Sequence, residues 1–410
     1  MTTPSIRFRA VRRLASSSLG PFVLPYATQL QERGYSLETI RDHLSYMINL
    51  GRWLTRTGRD LRDLNQAVLD RFWRYRSRPR KRVLKSPAGH RLLALLRQAQ
   101  VTPPCEDLAR TPTQRLVLRY RRYLVEERGL SDWTIDAYGR HVRRFVTDQF
   151  GAGTASVSQI RARAVLDYVQ AYARTGTPQD TGNVVTALRS FLRFLHYQGL
   201  IRADLASVIP AVARWRMTGL PKHLPADAVR QVLERCDQTT PIGQRDYAIL
   251  LLLARLGLRA GEVVSLQLED IDWEGSQITI RSKKGRGWAR LPLPADVGKA
   301  LARYLRHGRP SCDCRHVFVR SLAPHVGFTP SGAISHLTRQ ALQKAGVQSA
   351  RTGAHVFRHG LATAMLHQGA SLDEIGQVLR HQTPNSTAIY AKVDLDALRR
   401  LAVPWPGGGQ

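Results

Sequence analysis

Tyr390 stands nine residues after His381, with a turn at Gln382-Thr383-Pro384-Asn385 between them. Upstream, Ala354-His355-Val356-Phe357-Arg358-His359 sets His355 and Arg358 three apart, on one helical face, where both can point at a single anion. Earlier still, Leu256-Gly257-Leu258-Arg259-Ala260-Gly261-Glu262 puts Arg259 at the mouth of a helix, and Lys284 lies in the basic turn Lys283-Lys284-Gly285-Arg286-Gly287. A phenol, two guanidinium forks, an amine on a turn tip and two imidazoles (His355 and His381) are what transfer of a phosphodiester to a side chain requires. The phenol supplies the nucleophile, the forks hold the non-bridging oxygens, and the amine can protonate the departing 5′-oxygen. No cluster of carboxylates suited to paired Mg²⁺ accompanies them, which disfavours metal-dependent chemistry; no metal and no cofactor is expected.

Singly, each residue has a plainer reading. Tyr390 beside Ile389 would be a half-buried helix tyrosine, the histidines capping or core residues, and Arg259 and Arg358 ion-pair partners of Glu262 or Asp373. Lys284 would be ordinary hairpin-turn chemistry. Their joint order and spacing argues for one site. Glu262 reads either as a carboxylate orienting Arg259 or as a charge at a helix N-terminus. Cys312-Asp313-Cys314-Arg315-His316 is spaced too tightly for the usual zinc pair, and no second pair follows.

In order and spacing, Arg259, Lys284, His355 with Arg358, His381 and Tyr390 match the catalytic set of the tyrosine recombinase (phage integrase) family, which the chain resembles over about residues 105–400. One departure stands out: the family's leucine-glycine-histidine triplet is Leu379-Arg380-His381 here. The resemblance implies a mainly α fold with a small β-hairpin (α+β) in the catalytic domain. It also implies attack by Tyr390 on a scissile phosphate, a 3′-phosphotyrosyl intermediate and a free 5′-hydroxyl, with neither ATP nor metal. The implied partner is double-stranded DNA carrying specific recombination sites, bound by a homotetramer, with sister recombinases a further option. Strand nicking and rejoining in the manner of a type IB topoisomerase, and an inert architectural DNA-binding role, are the alternatives.

The elements that must position these residues can be read in part. Glu32-Arg33-Gly34-Tyr35-Ser36 recurs as Glu127-Arg128-Gly129-Leu130-Ser131, and Thr39-Ile40 as Thr134-Ile135, all at an offset of 95 residues. Each copy predicts a helix ending near the glycine and a second helix capped by the serine. Leu188, Phe191, Leu192, Phe194 and Leu195 share one helical face in the second copy; Leu92, Leu93, Leu95 and Leu96 are the weaker counterpart in the first. Two related helical bundles follow, 22–104 and 105–213, then a break near Met217, Gly219 and Pro221. The predicted domains are 1–104, 105–215 (core-binding), 216–403 (catalytic) and a tail, 404–410. In the third, helices are expected over 226–236 and 244–256, and a hairpin with strands 277–281 and 289–293 around the Lys284 turn. After Tyr390, Leu395, Leu398, Leu401 and Val403 form an apolar stripe.

The whole chain carries 62 Lys and Arg against 31 Asp and Glu, a formal charge of +31, which calls for a polyanionic partner. Only 8 of the cations are Lys and 54 are Arg, the residue whose planar fork matches phosphate. Arg74, Arg76, Arg78, Arg80, Lys81, Arg82 and Lys85 form a basic run in the first bundle, read as a contact to the DNA backbone. Four cysteines do not make a disulfide framework. The longest apolar run, 248–254, is too short to cross a bilayer, and a cytoplasmic, nucleoid-associated protein is expected.

Overall fold

The computed structural model describes residues 17–76, 87–102, 111–151, 157–211, 223–281, 287–329 and 332–393. The chain divides into two units, one formed by 104–218 and the other joining 1–103 to 219–410.

The 104–218 unit is a helical bundle: α5 (Pro112–Glu126), α6 (Asp132–Phe150), α7 (Ala162–Thr175) and α8 (Pro178–Tyr197). Leu188, Phe191, Leu192, Phe194 and Leu195 of α8 are at most 1% exposed. Burying such a side chain is worth about 1.5–3 kcal/mol, several times the roughly 0.7 kcal/mol that spans the helix propensities of ordinary residues. Packing therefore holds this helix more than propensity does. Tyr120 of α5 meets Phe191 edge-on at 5.2 Å.

In the other unit, residues up to 103 build a similar bundle with its own core: α1 (Val23–Glu32), α2 (Leu37–Arg56), α3 (Gln66–Arg76) and α4 (Pro87–Gln98). Leu92, Leu93, Leu95 and Leu96 are buried there. The repeat is visible in the backbone. Gly34 and Gly129 both take positive φ, 79° and 53°, and Ser36 and Ser131 both sit at helix N-caps. Ser36 accepts a hydrogen bond from the Thr39 N–H, whereas Ser131 bonds the Thr134 hydroxyl instead. The bundle does not stand free of the rest of its unit. Ala323 packs against its core, and the His325 N–H donates to the Arg33 carbonyl at 3.2 Å.

The remainder of that unit surrounds α10 (Pro241–Arg255). Residues 248–253 of α10 are all buried, so the helix is apolar on every side, as a central helix must be. Around it lie α9 (Ala226–Glu234), α11 (Ala260–Ser265), α12 (Ala295–Arg303), α13 (Gly332–Lys344), α14 (His355–His367) and α15 (Leu372–Val378). A three-stranded antiparallel sheet, β1 (Ile271–Asp272), β2 (Gln277–Arg281) and β3 (Trp288–Pro292), runs in the order 1-2-3. Ile278 pairs with Leu291 and Ile280 with Ala289; both isoleucines face the core. The second hairpin strand starts and ends one residue earlier than the sequence predicts, with Trp288 paired to Arg281. The turn that carries Lys284 lies outside the described residues, as do Arg78, Arg80, Lys81, Arg82, Lys85 and the apolar tail.

Candidate active site

Three separate stretches of chain meet at the C-terminal end of α10. The first reverses at Gly257, whose φ of 56° is left-handed and whose Cβ, if it had one, would stand 2.7 Å from Leu379 Cδ2. Glycine is thus required twice, for conformation and for space. Two residues on, Arg259 caps α11. Its N–H donates to Glu262 Oε2 at 2.9 Å, its Nη1 to Glu262 Oε1 at 2.7 Å, and its Nη2 to the Arg380 carbonyl at 3.1 Å. The carboxylate of Glu262 therefore orients Arg259. Burial alone would raise the Glu262 pKa, but the Arg259 N–H and the Arg380 and Arg259 charges outweigh it and hold the group below its ordinary value.

The second stretch is the start of α14. Arg358 is 4% exposed, yet its guanidinium is satisfied: Nη1 donates to the Gly257 carbonyl at 2.5 Å and Nη2 to the Leu379 carbonyl. Burial, then the charges of Arg259 and Arg380, lower its pKa to about 10, so it remains a cation at neutral pH. His355 opens the helix. Desolvation, then the charges of Arg358 and Arg259, hold its pKa below the ordinary value.

The third stretch runs from the end of α15 to a 3₁₀ turn, Ala388–Val393. The helix ends in a Schellman motif, with the Arg380 N–H bonded to the Gln377 carbonyl at 3.0 Å and the His381 N–H to the Gly376 carbonyl at 2.9 Å. That motif fixes where His381 leaves the helix. Nδ1 of His381 is 2.7 Å from the Thr387 hydroxyl, and its ring lies parallel to Tyr390 within 4° at 6.4 Å. Tyr390 is 1% exposed, packed with Ala362, Ile375 and Leu379. Its hydroxyl is 2.8 Å from His359 Nδ1. Burial pushes the phenol up to about 12. Burial, followed by neighbouring positive charge, lowers His359 and His381 to about 4, so both rings are neutral at pH 7.

The fold thus gathers Arg259, Arg358, His381 and Tyr390, with His355 beside them. Among the described residues it adds two side chains that sequence reasoning did not assign. One is His359, quoted in the motif but given no role; the other is Arg380, the departure from the triplet. His359 is the next residue after Arg358, and only the fold turns it toward Tyr390. Arg74 and Arg76 end α3 with exposed side chains. Cys314 Sγ and His316 Nδ1 approach to 3.5 Å, and no set of three metal-ligating side chains assembles among the described residues. No described helix is long and apolar enough to cross a membrane.

The sequence signature of the phage integrase family matches residues 222–396, and that of the phage integrase N-terminal SAM-like domain matches 117–199. The chain is 42% identical to a Sinorhizobium fredii protein named as an integrase/recombinase, y4rA, over 98% of both chains. It is 30% identical to the tyrosine recombinase XerD of Listeria monocytogenes, over 68% of this chain and 94% of that one. The chain belongs to the phage integrase family. It is a tyrosine-type recombinase, an enzyme of site-specific DNA recombination. The fold agrees: a crystal structure of the XerH site-specific recombinase bound to its difH substrate superposes with a TM-score of 0.58 at 19% identity, covering 74% of this chain and 99% of that one.

Proposed function

We propose that this recombinase cuts and rejoins double-stranded DNA at specific sites with Tyr390 as nucleophile and Arg259, Lys284, His355, Arg358 and His381 as its catalytic partners. The observation that carries the reading is the convergence of Arg259 and Arg358 on the carbonyls of Gly257, Leu379 and Arg380, beside the Tyr390–His359 pair. The phenolic oxygen bonds to the scissile phosphorus and the bond from phosphorus to the 5′-oxygen breaks. This leaves a 3′-phosphotyrosine and a 5′-hydroxyl, the leaving oxygen taking its proton from Lys284. The neutral His359 ring is the base placed to accept the phenolic proton. Attack by the 5′-hydroxyl of a partner strand reverses the step, so bond energy is conserved without ATP. The two guanidinium groups stabilise charge on the non-bridging oxygens as the phosphorus becomes five-coordinate.

Two recombining sites call for four protomers on DNA, with sister recombinases filling some positions in mixed systems. The bundle at 105–215 holds the duplex as a core-binding domain, and the one at 1–104 extends the clamp or the assembly. The strongly cationic chain works on nucleoid DNA in the cytoplasm. Phosphotyrosine chemistry is tested by Tyr390→Phe, which removes only the nucleophilic oxygen. The variant should bind DNA as the parent does and form no SDS-resistant, protease-sensitive adduct; an adduct formed by it would falsify the assignment.

A further inference from the structure

Arg380 occupies a backbone position made for glycine. It is the left-handed residue after α15, with φ 57°, in a Schellman motif whose bonds are all present. A residue retained against that preference needs a reason, and its side chain supplies one. That side chain is only 13% exposed. Nη2 donates to Glu262 Oε2 at 3.1 Å and lies 3.5 Å from the Gly257 carbonyl, and Nη1 donates to the Val378 carbonyl at 3.0 Å. Its Nε is buried with no partner among the described residues.

Arg380 therefore joins the two halves of the anion site: it shares Glu262 with Arg259 and the Gly257 carbonyl with Arg358. Charge counting shows the consequence. Arg259, Arg358 and Glu262 alone sum to +1 (two cations, one carboxylate), with Arg259 tied to its neutralising partner at 2.7 Å. With Arg380 the sum is +2 (three cations, one carboxylate), and Glu262 has a second cation to satisfy it.

We infer that Arg380 is a positioning residue for the recombination reaction: by occupying Glu262 it leaves Arg259 its charge for the scissile phosphodiester. The inference rests on the reading of Tyr390 as nucleophile. A phosphodiester carries one negative charge and gains more as the fifth oxygen bonds, so surplus positive charge favours the transition state over bound DNA. Arg380 thus acts on the cleavage step more than on affinity.

The test uses full-length protein and a duplex recovered by covalent capture with the wild type from a randomised pool, made with either a normal phosphate or an uncharged methylphosphonate at the scissile position. Arg380→Gly suits the backbone, so its folding can be verified by melting temperature. On the phosphate it should slow adduct formation by about 10- to 100-fold, the usual range for a supporting partner, with affinity for uncleaved duplex changed far less. On the methylphosphonate, which is neutral before attack and carries one negative charge fewer in the transition state, the deficit should shrink to a few-fold or less. Arg380→Lys should keep most of the rate. Adding Glu262→Gln to Arg380→Gly should recover much of the loss, because the carboxylate that Arg380 offsets is gone. Equal rates for Arg380→Gly and wild type on the phosphate overturn the proposal. So does an equal deficit on both substrates without recovery by Glu262→Gln, which is the mark of a purely structural residue. If instead Tyr390→Phe still forms the adduct, the nucleophile reading itself fails.

Discussion

Burial pushes the Tyr390 phenol up to about 12, which keeps it protonated at neutral pH, so the attack proposed for it includes loss of that proton. His359 is neutral and 2.8 Å away, which meets the geometric demand on a base. At the other end of the breaking bond the 5′-oxygen needs a proton, and there the candidate is Lys284. The choice of Lys284 over Lys283 rests on register: counted back from Arg290-Leu291-Pro292-Leu293, the lysine-glycine step that the family resemblance implies falls on Lys284-Gly285. A 5′-bridging phosphorothiolate substrate separates the two residues, because sulfur departs without protonation. Lys284→Ala should cleave the ordinary substrate at least about 100-fold more slowly, the low end for loss of a general acid, and recover on the sulfur substrate. Lys283→Ala should cleave both normally. The reverse pattern would move the role by one residue.

Among the elements, the repeated helix-turn-helix shows how one local solution is put to two uses. Gly34 and Gly129 end corresponding helices in the same left-handed conformation, but their surroundings differ. A Cβ on Gly129 would meet nothing within 4 Å, whereas one on Gly34 would collide with the His325 ring. The first copy has thus become a docking point for the loop that carries Ala323 and His325. Gly129→Ala should show only the backbone penalty, roughly 1–2 kcal/mol in urea unfolding. Gly34→Ala should be more destabilising, and a second change, His325→Ala, should relieve it. If His325→Ala leaves the Gly34→Ala deficit untouched, the His325 ring is not the obstacle that the added methyl meets.

For the whole molecule, the balance of +31 with 54 arginines makes association with DNA strongly dependent on salt. The first bundle's share can be measured without deleting it, which matters because its core also receives Ala323. Arg74 and Arg76 are exposed at the end of α3. If they touch the DNA backbone, replacing both with alanine should flatten the plot of log affinity against log salt by roughly 0.9 for each phosphate that is no longer neutralised. A single protomer on its duplex, measured across a salt series, gives the slope. An unchanged slope and footprint would show that Arg74 and Arg76 make no phosphate contact.

Features governed by neighbours along the chain were legible in the sequence by itself. The apolar run of α10, the stripe on α8, the hairpin strands and the serine N-caps all follow from side-chain periodicity and local hydrogen bonding, and each appears in the fold. The second hairpin strand begins one residue earlier than alternation suggests, because the pairing of Trp288 with Arg281 sets where β3 starts. The candidate site was legible as residue types in order, but its working parts were not. The carbonyl of Gly257 meets Arg358 across 101 positions, Arg259 meets the Arg380 carbonyl across 121, and His359 meets Tyr390 across 31. No local pattern encodes such contacts; they exist only once α10, α14 and α15 have packed. Tertiary structure alone therefore decided that Tyr390 is buried, that His359 rather than His381 touches its hydroxyl, and that Arg380 pairs with Glu262, the carboxylate that also holds Arg259.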